Sequence, residues 1–580
     1  MFRKLFKFIK GYERDAVLSP LLIILELVCE LLLPKLMANI IDFGINGNMG
    51  LAYIVQRGAI MLVLALLSMY AGVFAAKYAS HGSQGFASNL RGAMFDKVQD
   101  FSFADIDRFS SASLITRMTN DVNNIQMMVN MGLRILVRAP FMLIGALIVC
   151  FTINARLTLV LVIAVPVMGT AIGLLMRTCH RLFEIFQKKI DGLNDSVQEN
   201  LISIRVVKAF VREGYEKTKF QKANDELTHA GITAVLRVLF MSPIMMISFN
   251  LCIVFSLWFG GKYVVNGQML TGDLYSFTTY IMNVLMSVMM LAMSLLQLIR
   301  ARACAVRINE VLDTVPDIRD GENSRQLVLP EKSGSVEFRS VNFKYLVSGS
   351  GDDVLHGIDL MVEPGEFVAI VGGTGVGKSS LVNLIPRFYD VTEGAVLVDG
   401  VDVREYPVAE LRNRIGMVLQ NNVLFSGTIR ENLLWGKPDA TEEEIVAAAK
   451  NAQAYDFIMS FPDGFDTYIE QGGVNVSGGQ KQRLCIARAM LRAPSILILD
   501  DSTSAVDSAT EAQIRKSFSE NLRGTTVIII AQRISSVRYA DKIVVLDDDH
   551  ISGVGTHEQL MKTNSVYQEI YASQQEGVSA

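Results

Sequence analysis

A glycine-rich stretch with one lysine is the part of the chain best suited to chemistry. It consists of Gly372, Gly373, Thr374, Gly375, Val376, Gly377, Lys378, Ser379 and Ser380. Glycines let the backbone curl until several amide N–H groups converge on phosphate oxygens, and a helix that starts there adds its partial positive charge. Lys378 would reach the terminal phosphates, and the Ser379 hydroxyl would ligate Mg²⁺. The spacing predicts a loop that binds a nucleoside triphosphate, called the P-loop below.

Two further stretches place polar groups at the ends of apolar or helical runs. Asp500 and Asp501 follow the apolar run 495–499, and an acid at the carboxyl end of a buried strand is well placed to hold Mg²⁺, which assigns Asp500 to the metal. Upstream, a second candidate phosphate site leads directly into the helical run 481–491. It consists of Ser477, Gly478, Gly479 and Gln480. Alone it would be an ordinary turn, and its place before the Asp500 strand favours function.

The elements that must position these residues form a soluble α/β domain. The run 367–371 is typical of a buried strand, and residues 381–385 begin a helix directly after the P-loop. From Ser335 onward the pattern alternates between strands and helices. A polar, proline-containing stretch precedes it and indicates a linker. We therefore expect a membrane domain over 1–312, a linker over 313–334, the nucleotide-binding domain over 335–571 and a polar tail over 572–580.

The first half of the chain is predicted to lie in lipid. Apolar residues make up 51% of the sequence and charged residues only 19%, which is low for a soluble protein. The long apolar stretches predict six α-helical spans. Their approximate bounds are 16–41, 54–75, 133–153, 157–176, 238–259 and 274–298.

The charges indicate the orientation of these spans. The first 14 residues form a basic amphipathic segment typical of a membrane surface, whereas three short connections (42–53, 154–156 and 260–273) contain almost no Lys or Arg. Both termini are therefore expected in the cytoplasm of a multi-pass protein of the cell membrane. The long connections 77–132 and 177–237 would be cytoplasmic helical extensions. Their interruptions at 103–108 and 209–214 are either contact surfaces for another domain or solvated turns.

Some classes of partner and site are not favoured by the composition. The net charge of −4 does not indicate binding to nucleic acid, and the six cysteines lie too far apart for a disulfide framework or a zinc site. Within the membrane half, Glu26 and Glu30 lie one helical turn apart in the first span. They are expected to attract cationic substrates or to form a structural pair with Lys35, Arg134, Arg138 or a partner chain.

Methionines recur at helical spacing in the sixth span. Met282, Met286 and Met290 belong to this stripe. Flexible thioethers suit a promiscuous apolar cavity, although such a stripe also serves ordinary packing between helices.

The combination of these motifs resembles the ATP-binding cassette family, and the six spans resemble its exporters. The resemblance rests on the P-loop, Gln420 in the run 417–420, the run 476–480 (called the signature below) and Asp500, and it covers nearly the whole chain. It implies a half-transporter that pairs with a second such chain, the P-loop of one and the signature of the other enclosing ATP. It further implies that Tyr345 stacks on adenine, that Gln420 touches Mg²⁺, that residues 504–507 cross the dimer seam, and that 103–108 and 209–214 are coupling helices.

Two departures from the family pattern affect hydrolysis. The residue after the metal-binding acid is usually Glu, which orients the attacking water, but here it is Asp501. The switch position that usually holds His is Gln532, which can hydrogen-bond a phosphate but cannot carry charge. Together they resemble the degenerate-site subunits of heterodimeric bacterial multidrug exporters. Val476 in place of Leu is the only departure in the signature.

Three functions remain open at this point. The first is ATP-driven export of amphipathic or hydrophobic compounds as one half of a heterodimer, with the slow ATP site on this chain. The second is transport of a dedicated lipid, peptide or metal chelate by the same architecture. The third is a regulatory subunit whose ATP binding gates a partner.

Overall fold

The computed structural model describes residues 2–47, 49–321, 333–345, 353–501, 508–522, 524–531, 534 and 537–579. The chain forms two compact units. The first unit comprises Met1–Val98 and Leu114–Thr314, and the second comprises Gln99–Ser113 and Val315–Ala580.

The chain is helical up to Asp313. The helices in this part are α1 (Phe2–Leu5), α2 (Glu13–Asn39), α3 (Gly50–Gln99), α4 (Phe103–Phe109), α5 (Ser111–Thr116), α6 (Val122–Ile153), α7 (Ala155–Ile202), α8 (Ile204–Ala209), α9 (Glu213–Leu239), α10 (Met241–Val265) and α11 (Thr271–Asp313). A 3₁₀ turn covers Phe6–Ile9, and π-helical segments cover Ile40–Ile45 and Arg117–Asp121.

Six continuous helical segments of the described chain are long and apolar enough to cross a membrane. They are Glu13–Ile45, Gly50–Gln99, Ser111–Ile153, Ala155–Ile202, Glu213–Val265 and Thr271–Asp313. Helices suit this role because every backbone polar group in lipid must find its partner within the segment. Many large apolar side chains on these helices are exposed, among them Leu66 and Phe151, as expected for surfaces that face lipid. The prediction of six spans is confirmed.

A hydrogen bond fixes the first span to the start of the sixth. Asp42, in the π-helical segment after α2, is 8% exposed, and its Oδ1 accepts from the N–H of Gly272 at 2.6 Å. The helices touch closely here, since a Cβ on Gly272 would lie 2.3 Å from the carbonyl oxygen of Ala38. A glycine is therefore required at this crossing.

The described residues of the second unit form three sheets. Its strands are β1 (Val336–Phe343), β2 (Leu355–Val362), β3 (Phe367–Gly372), β4 (Glu393–Val398), β5 (Val401–Asp402), β6 (Ile415–Val418), β7 (Gly427–Thr428), β8 (Tyr468–Ile469), β9 (Ile496–Asp500), β10 (Thr526–Ile530), β11 (Lys542–Asp547) and β12 (His550–Gly555). Its helices after α4 are α12 (Lys378–Leu384), α13 (Val408–Arg414), α14 (Ile429–Leu434), α15 (Glu442–Asn451), α16 (Tyr455–Ser460), α17 (Gly478–Leu491), α18 (Ser508–Asn521), α19 (His557–Thr563) and α20 (Ser565–Ser579).

The largest sheet brings the predicted motifs to one edge. Its strand order is β12-β11-β3-β10-β9-β6, and every neighbouring pair is parallel except β11 and β12. Ile530 pairs with Ile370 on one side and with Asp500 on the other, so the carboxyl ends of β3, β10 and β9 are level. Loops that follow these strands therefore meet at the same edge, where α/β sheets bind their ligands.

The linker joins the second unit at a tightly held point. The carboxylate of Asp399 accepts from the N–H of Gly334 at 2.7 Å and from the Ser333 hydroxyl at 2.8 Å, and it forms a buried ion pair with Arg414. Gly334 has φ 87°, and its carbonyl accepts from the Thr526 hydroxyl at 2.6 Å. The first residues of the domain are thus bound to β10 and to the turn between β4 and β5. At the other end, α20 continues to Ser579, so residues 572–579 of the predicted polar tail are helical.

The two interruptions predicted at 103–108 and 209–214 differ in form. Residues 103–108 fall within α4, whose start is fixed by a capping box between Ser102 and Asp105. Residues 209–214 contain the turn between α8 and α9, where Phe210 and Val211 are exposed. In the described structure, residues 103–108 thus lie in one short helix, whereas residues 209–214 run from the end of α8 through a turn into α9.

Candidate nucleotide-binding site

The P-loop has the geometry of an anion cradle. β3 ends at Gly372 and α12 begins at Lys378, with Gly375 and Gly377 both at positive φ, 88° and 86°. A Cβ on Gly377 would also lie 2.9 Å from the carbonyl oxygen of Val354, so that position requires glycine. The Lys378 Nζ donates to the carbonyl of Gly372 at 3.0 Å and to that of Gly373. The ammonium therefore spans the loop that phosphates would enter.

Lys378 and Asp500 place opposite charges in a half-buried site. Burial lowers the pKa of Lys378, and the nearby carboxylates of Asp501 and Asp500 partly offset this effect. Burial is also the largest cause of the raised pKa of Asp500, which the neighbouring Asp501 raises further. The Ser379 hydroxyl and Lys378 act in the opposite direction on Asp500. The carboxylates would therefore gain from an additional cation.

The oxygen donors at this place fit Mg²⁺. The Ser379 Oγ lies 3.0 Å from the Asp500 Oδ1, and Asp500 is 4% exposed at the end of β9. Mg²⁺ prefers a few protein oxygens together with substrate phosphates and water, and therefore needs no all-protein cage. Among the described residues, no group of three or more His, Cys, Asp or Glu side chains could hold a metal by itself. Ser379 and Asp500 are thus two residues that lie close enough together to hold the ion.

Asp501 leaves the strand in an uncommon backbone conformation. Its φ is 48°, in the left-handed region, and its N–H donates to the carbonyl of Ile530 at 3.2 Å. Asp tolerates this region better than most residues. The residue is held against the end of β10 at the site edge. Gln532, predicted to lie nearby, is outside the described residues, as are residues 502–507, which include the predicted seam loop 504–507.

Tyr345 and Gln420 lie at different depths. The Tyr345 hydroxyl lies 2.9 Å from the Oγ of Ser380, which is buried on α12, so this aromatic ring is attached to the P-loop helix. Gln420 follows β6 by two residues and is exposed. It therefore lies beyond the same sheet edge, with its side chain open to solvent.

The signature forms the start of α17. The Ser477 Oγ accepts from the Gln480 N–H at 3.3 Å, and the Gln480 side chain accepts from the Ser477 N–H at 2.9 Å. This capping box fixes Gly478 and Gly479 as the first residues of the helix. None of these hydrogen bonds within the described structure reaches the P-loop.

The two membrane carboxylates share one cation. Arg138 on α6 forms ion pairs with Glu26 and with Glu30, the latter at 2.7 Å. The three side chains are between 15% and 30% exposed. Arg138 was one of the partners considered for the structural pair, and the group as a whole retains one negative charge. In α11, Met282 and Met286 are exposed and Met290 is half-buried.

Two residues of the second unit escaped the sequence analysis. The Tyr389 hydroxyl donates to the Asp107 Oδ2 at 2.8 Å, which attaches α4 to the turn before β4. The Phe103 and Phe388 rings also lie 4.5 Å apart. In the sequence, Phe388 and Tyr389 are two adjacent aromatic residues shortly after the P-loop helix. Such a pair is also common in ordinary hydrophobic cores, so it did not indicate this contact.

A P-loop and an acid-bearing strand in one sheet, joined in one chain to six potential membrane spans, define a membrane transport ATPase. Comparison with family models identifies the family. Residues 17–289 match the model described as "ABC transporter transmembrane region", and residues 355–504 match the model described as "ABC transporter". The chain belongs to the ABC transporter family.

Relatives and a solved structure cover almost the entire chain. The chain is 39% identical over 573 residues to the "Uncharacterized ABC transporter ATP-binding protein YfiB" of Bacillus subtilis, covering 99% of this chain and 98% of that protein. It is 32% identical over 588 residues to the "Putative multidrug export ATP-binding/permease protein YgaD" of the same organism, covering 99% of each. A bacterial Atm1-family ABC exporter with ATP bound superimposes with a TM-score of 0.82 at 26% identity, covering 97% of this chain and 98% of that one. The chain thus has the fold of an ABC exporter half.

Proposed function

We propose that this chain is one half of a heterodimeric exporter of the cell membrane that moves amphipathic or hydrophobic compounds, and that its own P-loop holds the slow ATP site. In this proposal both termini are cytoplasmic, and the partner is a half-transporter with an intact catalytic site. The observation that carries the proposal is Asp501 at the position after the metal-binding Asp500. The family fold supports its transport part.

The slow site follows from the reach of Asp501. Its carboxylate is one methylene shorter than that of Glu, a difference of about 1.5 Å. A misplacement on the order of 1 Å at a reacting centre can cost about a hundredfold in rate. The positive φ of Asp501 further sets the direction in which the side chain leaves the backbone. Gln532 adds a second deficit because it cannot carry charge.

Binding of ATP does not depend on these two residues. Lys378 offers its ammonium to the terminal phosphates, the amides of residues 373–379 offer N–H donors, and Ser379 and Asp500 would hold Mg²⁺, which stabilises charge on the phosphates. Tyr345 would stack on the adenine, and Gln420 would touch the metal from its exposed loop. This chain therefore retains ATP and turns it over slowly.

The signature serves the site of the partner. Ser477 is held by its capping box, and the α17 N-terminus that follows can receive the γ-phosphate bound to the partner's P-loop. Apart from Val476, the residues of this run follow the family pattern. Fast hydrolysis is accordingly assigned to the composite site formed by this signature and the partner's P-loop.

The transported compounds are assigned from the membrane half. The surplus negative charge of Glu26, Glu30 and Arg138 favours cations, and the exposed Met282 and Met286 offer adaptable apolar contacts that Met290 continues. The similarity to YgaD, whose name is "Putative multidrug export ATP-binding/permease protein", supports this substrate class. Transport of one dedicated lipid, peptide or metal chelate, or a regulatory role, is the alternative that the same experiments address.

The test is the steady-state ATPase activity of the purified pair. Ser477→Ala should reduce activity strongly, because it removes the cap of the helix that completes the fast site. Asp501→Ala should reduce it only modestly, whereas Glu→Gln at the partner's catalytic position should nearly abolish it. Asp501→Glu alone is not expected to create a second fast site, since Gln532 remains.

Two outcomes would contradict the proposal. If Asp501→Ala removed as much activity as the partner's Glu→Gln, both sites would be equivalent. If the pair hydrolysed ATP normally but moved no compound in sealed vesicles, the regulatory role would replace transport. Ser573→Ala, at an exposed position of helix α20, provides a matched serine control.

A further inference from the structure

Tyr389 lies between the nucleotide-binding end of β1 and the α4 helix. Its ring centroid is 5.2 Å from that of Tyr345 with an interplanar angle of 89°, and its hydroxyl donates to Asp107 at 2.8 Å. We propose that Tyr389 is a positioning residue that transmits nucleotide binding at Tyr345 to the α4 helix through its hydrogen bond to Asp107. The proposal rests on the proposed function in one respect, the stacking of adenine on Tyr345.

Ring contacts couple the orientation of Tyr345 to that of Tyr389. Phe343 lies 4.8 Å from Tyr345 and 5.8 Å from Tyr389, so the three rings form a closed cluster with edge contacts. Edge-to-face pairs are orientation-dependent because the ring quadrupoles must match. A rotation of Tyr345 that accommodates a base would therefore displace Tyr389.

The other end of Tyr389 holds α4 by two kinds of contact. The hydroxyl bonds the Asp107 carboxylate, and the Phe103 ring at the start of α4 lies 6.2 Å from the Tyr389 ring. Burial and the adjacent Asp107 both raise the pKa of Tyr389, so its hydroxyl stays protonated and donates throughout the physiological range. A hydrogen bond to a charged acceptor is stronger than one between neutral groups.

A cavity beside these contacts gives the ring room to move. It has a volume of about 540 Å³ and is lined by Tyr345, Tyr389 and Asp107 together with Ser102 and Asp317. Close-packed interiors resist displacement, whereas a side chain at the wall of a cavity can change position without displacing its neighbours. Tyr389 is thus in contact with Tyr345 and with α4, and its remaining side faces the cavity.

A purely structural role for Tyr389 makes a different prediction. The start of α4 is already fixed by the capping box of Ser102 and Asp105, which needs no contact with Tyr389. If Tyr389 only fastened α4, its loss would loosen the helix equally with and without nucleotide. If it transmits binding, its loss would remove the response of α4 to nucleotide.

The experiment is hydrogen–deuterium exchange of the full-length chain in lipid nanodiscs, with and without Mg²⁺ and a non-hydrolysable ATP analogue. In the unaltered chain the nucleotide should slow exchange in the P-loop peptides and in α4. Tyr389→Phe keeps the ring and removes the hydroxyl. It should leave the P-loop response intact and reduce the nucleotide-dependent slowing in α4 roughly tenfold, the effect of one charge-assisted hydrogen bond.

Three further variants sharpen the test. Asp107→Ala removes the acceptor and should reproduce Tyr389→Phe, with no additional loss in the double variant. Asp107→Asn keeps an oxygen acceptor but removes its charge, and should give a response between those of Asp107→Ala and the unaltered chain. Tyr539→Phe, at an exposed ring before β11, is the matched control and should behave as the unaltered chain.

The outcomes separate this proposal from the proposed function. An α4 response in Tyr389→Phe equal to that of the unaltered chain would overturn the transmission, as would equal loosening of α4 with and without nucleotide. Two other outcomes would instead count against the nucleotide site itself. In one, the nucleotide does not slow exchange in the P-loop of the unaltered chain; in the other, Tyr345→Ala binds nucleotide as tightly as the unaltered chain does.

Discussion

In the proposed function, single side chains at the sheet edge separate binding of ATP from its hydrolysis. Lys378, Ser379 and Asp500 form a connected group whose contacts agree with phosphate and Mg²⁺ binding. Asp501 lies next to this group but leaves the strand with φ 48°. Variants at these positions should therefore affect affinity and turnover separately.

The first prediction concerns Lys378. Lys378→Ala should weaken ATP binding roughly tenfold to a hundredfold, because the charge-assisted contacts to the phosphates are lost. The measurement is equilibrium binding of a fluorescent ATP analogue to the full-length chain with Mg²⁺. Lys562→Ala, an exposed lysine on α19, is the control. Equal affinity in the two variants would show that the phosphates bind elsewhere.

Local spacing in the sequence was sufficient to place the P-loop and the signature at the starts of their helices. The positions of Lys378, Ser379 and Ser477 follow from glycine spacing and helix capping, which short stretches of chain encode. The contact between Tyr389 and Asp107 joins residues far apart in the chain, and no local pattern indicates it. Gln532 and the substrate residues stay predictions, since their roles depend on the partner chain and on compounds to be transported.

At the scale of elements, one arginine joins two membrane helices. Arg138 of α6 binds both Glu26 and Glu30 of α2, one turn apart. A charge within a membrane span is costly unless it is paired, so the group fastens the helices. Since two carboxylates face one guanidinium, it also retains one negative charge. Long apolar stretches predicted the six spans, whereas the choice among the candidate cationic partners required the packing of α2 on α6.

The second prediction separates fastening from recognition of substrate. Glu30→Gln removes the surplus charge and leaves the Glu26–Arg138 pair, so it should lower transport of cationic compounds on the order of tenfold and spare neutral ones. Transport in vesicles that contain both chains measures this ratio. Equal loss for both classes of compound would favour a purely structural group.

A companion variant tests the fastening. Arg138→Met leaves two unpaired carboxylates and should destabilise the membrane half by up to about 3–5 kcal/mol, the cost of breaking a buried pair. The melting temperature in detergent provides the measurement. The triple variant Glu26→Gln, Glu30→Gln, Arg138→Met should recover most of the loss, and failure to recover would indicate that Arg138 serves another contact.

At the scale of the whole molecule, the proposed topology has six helices that cross the membrane and both ends of the chain on one side. The short connection before α11 and the long helices α7 and α9 should then face opposite compartments. The six native cysteines are all buried, so a single added cysteine can report on its own location.

The third prediction concerns this orientation. A membrane-impermeant maleimide added to intact cells should label Gln268→Cys, which lies in the exposed turn before α11. Lys217→Cys on α9 should react only after the membrane is opened. Each position is the control for the other, and equal labelling of both in intact cells would contradict the proposed topology.

The attachment of Gly334 also bears on how such chains can be recombined. Asp399, Arg414 and Thr526 hold the chain at Ser333 and Gly334. The ATPase half therefore contains its own binding site for the end of the linker. A chimera that exchanges this half between relatives should be spliced upstream of Ser333. A junction a few residues later would separate Ser333 and Gly334 from the residues that bind them, and each transplanted half would lose these contacts.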